Sequence, residues 1–133
     1  MSASRLVVLG ASGLLGRSVA VAAARAESRN FRRVIWSGLT TYALAEILVS
    51  LVEQREVSGL LHIAGEPIDK YRLLCLAAEI FGKTDVDIEP VDEPVCDRSL
   101  RSDRLSTLGI PVPSIRAMLE GLRDREIRHA EVV

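Results

Sequence analysis

The sequence predicts an α/β fold, a small, truncated, doubly wound parallel sheet covered by helices. Three observations carry this expectation. An apolar run from Arg5 to Leu9 empties into Gly10-Ala11-Ser12-Gly13-Leu14-Leu15-Gly16 and then into an Ala/Val-rich segment, the order strand, glycine turn, helix. Helical apolar stripes then alternate with short strand signals to the end of the chain. The 133 residues suffice for one domain with a modest core, whereas a complete doubly wound sheet with its own substrate region normally needs more chain.

The first strand is Arg5 to Leu9. The helix after the glycine turn runs to about Arg25, with Leu14, Leu15, Val19, Ala22 and Ala23 forming an inner face suited to packing on a sheet. Polar residues from Glu27 to Arg33 break that pattern, and a short strand, Val34-Ile35-Trp36, ends at Ser37-Gly38. From Thr40 or Thr41 a second helix places Leu44, Ile47, Leu48, Leu51 and Val52 on one stripe. Leu60 to Ala64 reads as a buried strand. Gly65-Glu66-Pro67 then turns the chain into a third helix, with Asp69 as N-cap, Ile68 and Leu73 at the two positions of a hydrophobic staple, and Gly82 in the C′ role. Val86 to Val91 alternates like an edge strand, because Pro90 and Pro94 exclude it from a sheet centre. A helical turn from about Ser102 to Leu108 closes at Gly109. The last helix starts near Ser114 and carries Ile115, Met118, Leu119 and Leu122, and the charged residues after Arg123 are expected to fray.

Composition narrows the function classes. The chain is 48% hydrophobic and 26% charged, and Lys+Arg 17 nearly cancels Asp+Glu 18 to leave a formal net charge of -1. No global field favours nucleic acid or an anionic membrane as partner. Arg, Glu or Gly interrupts every apolar stretch before bilayer-spanning length, and the N-terminus lacks a secretory pattern, so a cytoplasmic protein is expected. Cys75 and Cys96 have no metal-ligand spacing and read as small apolar residues rather than a disulfide in a reducing compartment.

The glycine turn carries the clearest chemistry. Gly10, Gly13 and Gly16 let backbone N–H groups and a helix N-terminus approach a pyrophosphate with no Cβ in the way, so Gly10, Ala11, Ser12, Gly13, Leu14, Leu15 and Gly16 form a candidate NADP or NAD loop. The structural alternative is a tight turn with close helix–strand packing. The loop supplies only the pyrophosphate half of a site. The acidic residue that grips the ribose about 20 residues further on is missing, and Trp36 and Ser37 stand near that distance. Were Val34 to Trp36 to pair beside the first strand as a substitute second strand, Ser37 would permit NADP no less than NAD.

These segments together resemble the extended short-chain dehydrogenase/reductases. The G-x-x-G-x-x-G spacing matches Gly10, Gly13 and Gly16, and the stretches WSGLTTYALAEIL, SGLLHIAGEPIDKYRLLCLAAEIFG and CDRSLRSDRL are similar to the C-terminal portion of sugar-nucleotide reductases of the dTDP-4-dehydrorhamnose reductase type. The resemblance implies a truncated Rossmann-like sheet plus the substrate-side elements of an extended reductase. It divides the chain into a dinucleotide-binding unit, 1–36, and a reductase-like part, 37–133, packed as one compact domain.

The same resemblance exposes a gap. In such enzymes most of the nucleotide-binding domain, with a Tyr-x-x-x-Lys pair, separates the glycine loop from the SGLTT segment, and here the two lie about twenty residues apart. The family tyrosine donates a proton to the ketone as hydride arrives, and the lysine lowers its pKa. Tyr42 is followed four residues later by Glu46, and Tyr71 by Cys75, so no catalytic residue is assigned. A sugar-nucleotide reductase relative that is catalytically incompetent alone is the leading expectation. A non-catalytic nucleotide-binding or regulatory module and a shortened remnant with no ligand are the alternatives.

Asp97-Arg98-Ser99 resembles the family segment in which an arginine meets the substrate diphosphate, which makes Arg98 the candidate substrate-binding residue; the alternative is a solvated loop arginine. Arg101 stands where the family tends to be acidic. Thr40 and Thr41 read as helix caps before substrate contacts, His62 as a satisfied core histidine, and Trp36 as core rather than a stacking platform. A sheet without its central strands leaves an unpaired edge, and the Leu44, Leu48 and Leu51 face stays partly uncovered, so a homo-oligomer is expected.

Overall fold

Val34, Ile35 and Trp36 form the middle strand of a three-stranded sheet, and both of its hydrogen-bonding edges are taken. The computed structural model describes residues 30–54, 57–83 and 87–131. The strand Arg5 to Leu9, the loop Gly10 to Gly16 and the helix to Arg25 lie outside the described residues, as does Val86. Within them the chain runs β1 (Asn30–Phe31), β2 (Val34–Trp36), α1 (Thr41–Glu53), β3 (Ile68–Asp69), α2 (Lys70–Ile80), β4 (Pro90–Val91), β5 (Cys96–Asp97), α3 (Asp103–Thr107) and α4 (Ile115–Glu131). The fold is α/β.

The sheet is mixed in direction. Ile35 and Trp36 pair antiparallel with Asp69 and Ile68, while Val34 and Ile35 pair parallel with Cys96 and Asp97. The expected pairing of Val34 to Trp36 beside the first strand involves residues outside those described; among the described residues its neighbours are β3 and β5, one on each edge. The expected edge strand shrinks to Pro90–Val91, which pairs parallel with Asn30–Phe31. Pro90 has no N–H to give a ladder, in keeping with that short pairing.

Leu60 to Ala64 is not a strand. Side chains bond its two ends. The Arg104 guanidinium donates to the carbonyls of Leu60 and, at 3.0 Å, of Ser58, and the Ser102 hydroxyl binds both backbone groups of Ala64. Leu60 and His62 are exposed, so the core-histidine reading of His62 is also corrected.

The helices follow their sequence signals closely. Thr40 caps α1, its Oγ1 accepting from the Ala43 N–H at 3.3 Å, and Asp69 caps α2 by accepting from the Arg72 N–H at 2.8 Å. Both Gly82 (φ 65°) and Gly109 (φ 70°) sit in the left-handed region after a helix. The bonds Gly82 N–H to Glu79 and Lys83 N–H to Ala78, and Gly109 N–H to Ser106 and Ile110 N–H to Leu105, form the same Schellman closure twice.

The core is mostly helical. Leu39, Ala43, Ile47 and Leu51 meet Leu73, Ala77 and Ile80 of α2, Leu105 of α3, and Ile115, Met118 and Leu119 of α4. The buried line of α1 is therefore Ala43-Ile47-Leu51, with Leu44 and Leu48 half-buried beside it and Val52 turned outward, a small rotation from the expected stripe. The last helix does not stop at Arg123. It continues to Glu131, and Arg125 holds it to α1 by an ion pair with Glu46 at 2.8 Å and by lying over the Tyr42 ring at 4.4 Å.

Candidate functional site

Two serine hydroxyls organise the region between the sheet and the last two helices. Ser37, just beyond β2, is 4% exposed; its Oγ accepts from the Leu100 N–H at 2.7 Å and donates to the Leu100 carbonyl at 3.2 Å. Ser102 repeats the arrangement on Ala64, accepting from its N–H and donating to its carbonyl, both at 2.6 Å. The backbone of Ser37 adds a third tie by accepting from the Gly65 N–H at 2.7 Å. One consequence is local: Ser102 precedes α3 but makes no side-chain cap, because its hydroxyl is committed to Ala64.

These ties bring Ala64-Gly65, Pro67, Leu100 to Asp103, Ser106 and Gly109 to Val112 around a cleft of about 530 Å³. That volume falls within the range of small-molecule sites. Leu100, Pro67, Ile110, Pro111 and Val112 give it apolar walls, while Arg101, Asp103 and Ser106 give it polar groups. Arg101 and Asp103 pair at 3.3 Å, and both are largely exposed, so the guanidinium is not committed to a deep ion pair and keeps donors for an anionic group. Glu66 borders the segment and accepts from the Ile115 N–H at 2.9 Å, which fixes the start of α4 beside it.

Arg98, the arginine chosen from the sequence, is exposed directly after β5 and does not line this cleft. Its backbone N–H donates to the Ile35 carbonyl at 3.0 Å, extending the parallel pairing. Asp97 beside it accepts from the Ser99 N–H at 2.9 Å, and bonding from the Ser99 side chain and backbone holds its carboxyl below the ordinary carboxylate value. Arg101 was the residue missed as a candidate. It lies in the same short segment, and only the turn into α3 carries it toward the cleft.

Ser37 does not offer its hydroxyl to a ribose, since Leu100 consumes it. Thr40 is buried as a cap, whereas Thr41 is exposed. Trp36 is half-buried against the core, its ring lying over Gly38. Neither tyrosine has a lysine four residues on. Tyr42 lies beneath Arg125, and the Tyr71 phenol is pushed up from its ordinary value, first by its hydrogen bond with Cys75 one helical turn away. Lys70, its neighbour in sequence, stands over the Phe31 ring at 5.3 Å. Cys75 and Cys96 are free and half-buried. Among the described residues no group of three or more His, Cys, Asp or Glu comes together to hold a metal, and no helix is long and apolar enough to cross a membrane.

No protein-family model matches the chain, and no curated protein sequence matches it. Solved structures do. The dTDP-4-dehydrorhamnose reductase of Yersinia enterocolitica superposes with a TM-score of 0.59 at 18% identity over 80% of this chain. A functionally unknown conserved protein from Silicibacter pomeroyi DSS gives 0.56 at 21% identity over 74% of it. RMD from Pseudomonas aeruginosa, solved in complex with NADPH, gives 0.54 at 17% identity over 87%. This chain spans 42% of the length of each of the three. At such identities the likeness is one of fold.

Proposed function

We propose that this chain is a relative of the NAD(P)-dependent sugar-nucleotide reductases that does not itself reduce a substrate and that holds a nucleotide-type ligand. What supports the kinship is the fold shared with a dTDP-4-dehydrorhamnose reductase and with RMD in its NADPH complex. The observation that carries the absence of turnover is that neither tyrosine has a lysine four residues on. Reduction of a ketone needs a proton delivered as hydride arrives, and an adjacent cation makes a phenol a better acid at neutral pH. Tyr71 is shifted in the opposite direction by Cys75, and Tyr42 has Glu46 where a lysine would stand.

In this reading the cofactor loop is Gly10 to Gly16, whose backbone N–H groups would cradle a pyrophosphate; NADP or NAD would supply hydride when bound. The sugar-nucleotide side is served by the cleft at Arg101, and Arg98, three residues earlier, lies outside it. A planar guanidinium engages two phosphate oxygens at once, which suits a diphosphate.

Two measurements on the purified chain test the reading. Titration with NADPH and NADH should show saturable binding. Incubation of a 4-keto sugar nucleotide with NADPH should show no oxidation of the cofactor above background. Turnover abolished by Tyr42→Phe or Tyr71→Phe would reveal a working acid and overturn the proposal, and absence of dinucleotide and nucleotide binding alike would reduce the chain to a remnant of the fold.

A further inference from the structure

Helix α1 is apolar almost all round. Ala43, Ile47 and Leu51 enter the core, yet the opposite face carries Tyr42, Ala45, Val49 and Val52, spaced along one outward stripe of about three turns. Val49 is 61% exposed and Val52 70%, values at odds with β-branched residues on a helix of this composition unless something covers them. The charges at the edge of the stripe are ordered. Glu53 lies at its C-terminal end, and at its N-terminal end Arg125 of α4 rests on the Tyr42 ring and bonds to Glu46. With a turn every 3.6 residues, Glu46, Glu53 and the Arg125 guanidinium fall on the same flank.

We propose that this stripe is the interface of a homodimer in which α1 packs antiparallel against α1 of a second copy. A two-fold axis between antiparallel helices keeps each flank on its own side and exchanges the ends. Tyr42 of one copy then meets Val52 of the other, Ala45 meets Val49, and Glu53 reaches the Arg125 that covers Tyr42 across the axis. The stripe is thus complementary to itself in charge as well as shape: Arg125, 39% exposed and bonded to Glu46 through one terminal nitrogen, keeps donors for the Glu53 of the second copy. Ala45 near the centre lets the two backbones approach closely, and antiparallel helices oppose their dipoles favourably. A parallel pair would keep Glu53 and Arg125 at different ends of both helices, so the Glu53–Arg125 contact could not form. An interface of three helical turns is small, so the association is weak and concentration-dependent.

Sedimentation of the full chain over a range from low to several hundred micromolar tests the proposal without any ligand, so its outcome is independent of cofactor or nucleotide binding. The wild-type chain should convert from monomer to dimer. Val49→Arg should remain monomeric across the range while keeping the wild-type circular dichroism and cooperative unfolding. Glu53→Arg, at a fully surface position, should weaken the dimer at least tenfold. Orientation is read by cross-linking in a background with Cys75 and Cys96 replaced by alanine: a mixture of Ala45→Cys and Val49→Cys chains should form the mixed disulfide in preference to either homodisulfide. A strictly monomeric wild-type chain would show that the stripe is covered within one molecule and would overturn the proposal. So would a dimer indifferent to both Val49→Arg and Glu53→Arg.

Discussion

Ser37 and Leu100 are 63 residues apart in sequence and are joined by two hydrogen bonds through a single hydroxyl, one accepted from the Leu100 N–H and one donated to its carbonyl. The pair ties the end of the central strand to the segment that leads into the cleft. Ser37→Ala should leave both Leu100 backbone groups without their partner and cost about 1–3 kcal/mol in chemical denaturation. Ser106→Ala, which removes an exposed hydroxyl from the cleft, should change stability by no more than about 0.5 kcal/mol.

The Trp36 ring covers Gly38 so closely that a Cβ there would fall 1.6 Å from the indole. Gly38→Ala should therefore displace the single tryptophan, shifting its fluorescence to the red and lowering the midpoint of unfolding. Gly121→Ala is the control, because a Cβ at that position in α4 meets nothing within 4 Å. It should raise stability by about 0.5–1 kcal/mol through helix propensity.

Arg125 is the fastening that keeps α4 helical past Arg123. Its ion pair and ring contact are both at the surface, so Arg125→Ala should cost the global fold only about 0.5–1 kcal/mol. The local effect is larger in kind: amides after Leu122 should exchange with solvent markedly faster, while those from Ile115 to Leu122 keep their protection.

The Tyr71 phenol can be titrated directly. Its folded pKa lies above the ordinary phenol value because of Cys75, so its contribution to stability is present below the unfolded pKa and is lost as pH rises through the folded one. In a Tyr42→Phe background, the remaining phenolate absorbance should appear at higher pH in the folded chain than in denaturant. Cys75→Ala should move it down toward the denatured value.

Dinucleotide binding, where it occurs, should depend on the glycine loop. Gly13→Val introduces a side chain between backbone and phosphate and should weaken NADPH at least tenfold, about 1.4 kcal/mol. Unchanged affinity in a folded Gly13→Val chain would assign the loop a packing role only.

The features that could be read from the chain are those whose partners lie within a few residues. Asp69 reaches the N–H three positions on, Gly82 and Gly109 close helices with bonds to the preceding turn, and the stripe of α1 is legible to within a small rotation, because helical hydrogen bonds and caps are local. The resemblance to reductases was likewise carried by short segments. Strand pairing was not legible in this way. Val34 to Trp36 reads as a strand, but its neighbours are Ile68–Asp69 and Cys96–Asp97, and nothing local names them. Leu60 to Ala64 has a strand's composition, yet no ladder forms there, and Arg104 and Ser102 from later in the chain bond its two ends. Ser102 and Arg125 read as ordinary polar residues and Ser37 as one near a ribose, until the tertiary structure brought Ala64, Tyr42, Glu46 and Leu100 within reach. Tertiary packing decides such contacts because a hydroxyl or a guanidinium has no periodicity, and its role depends on which backbone it meets once the chain has closed its long loops.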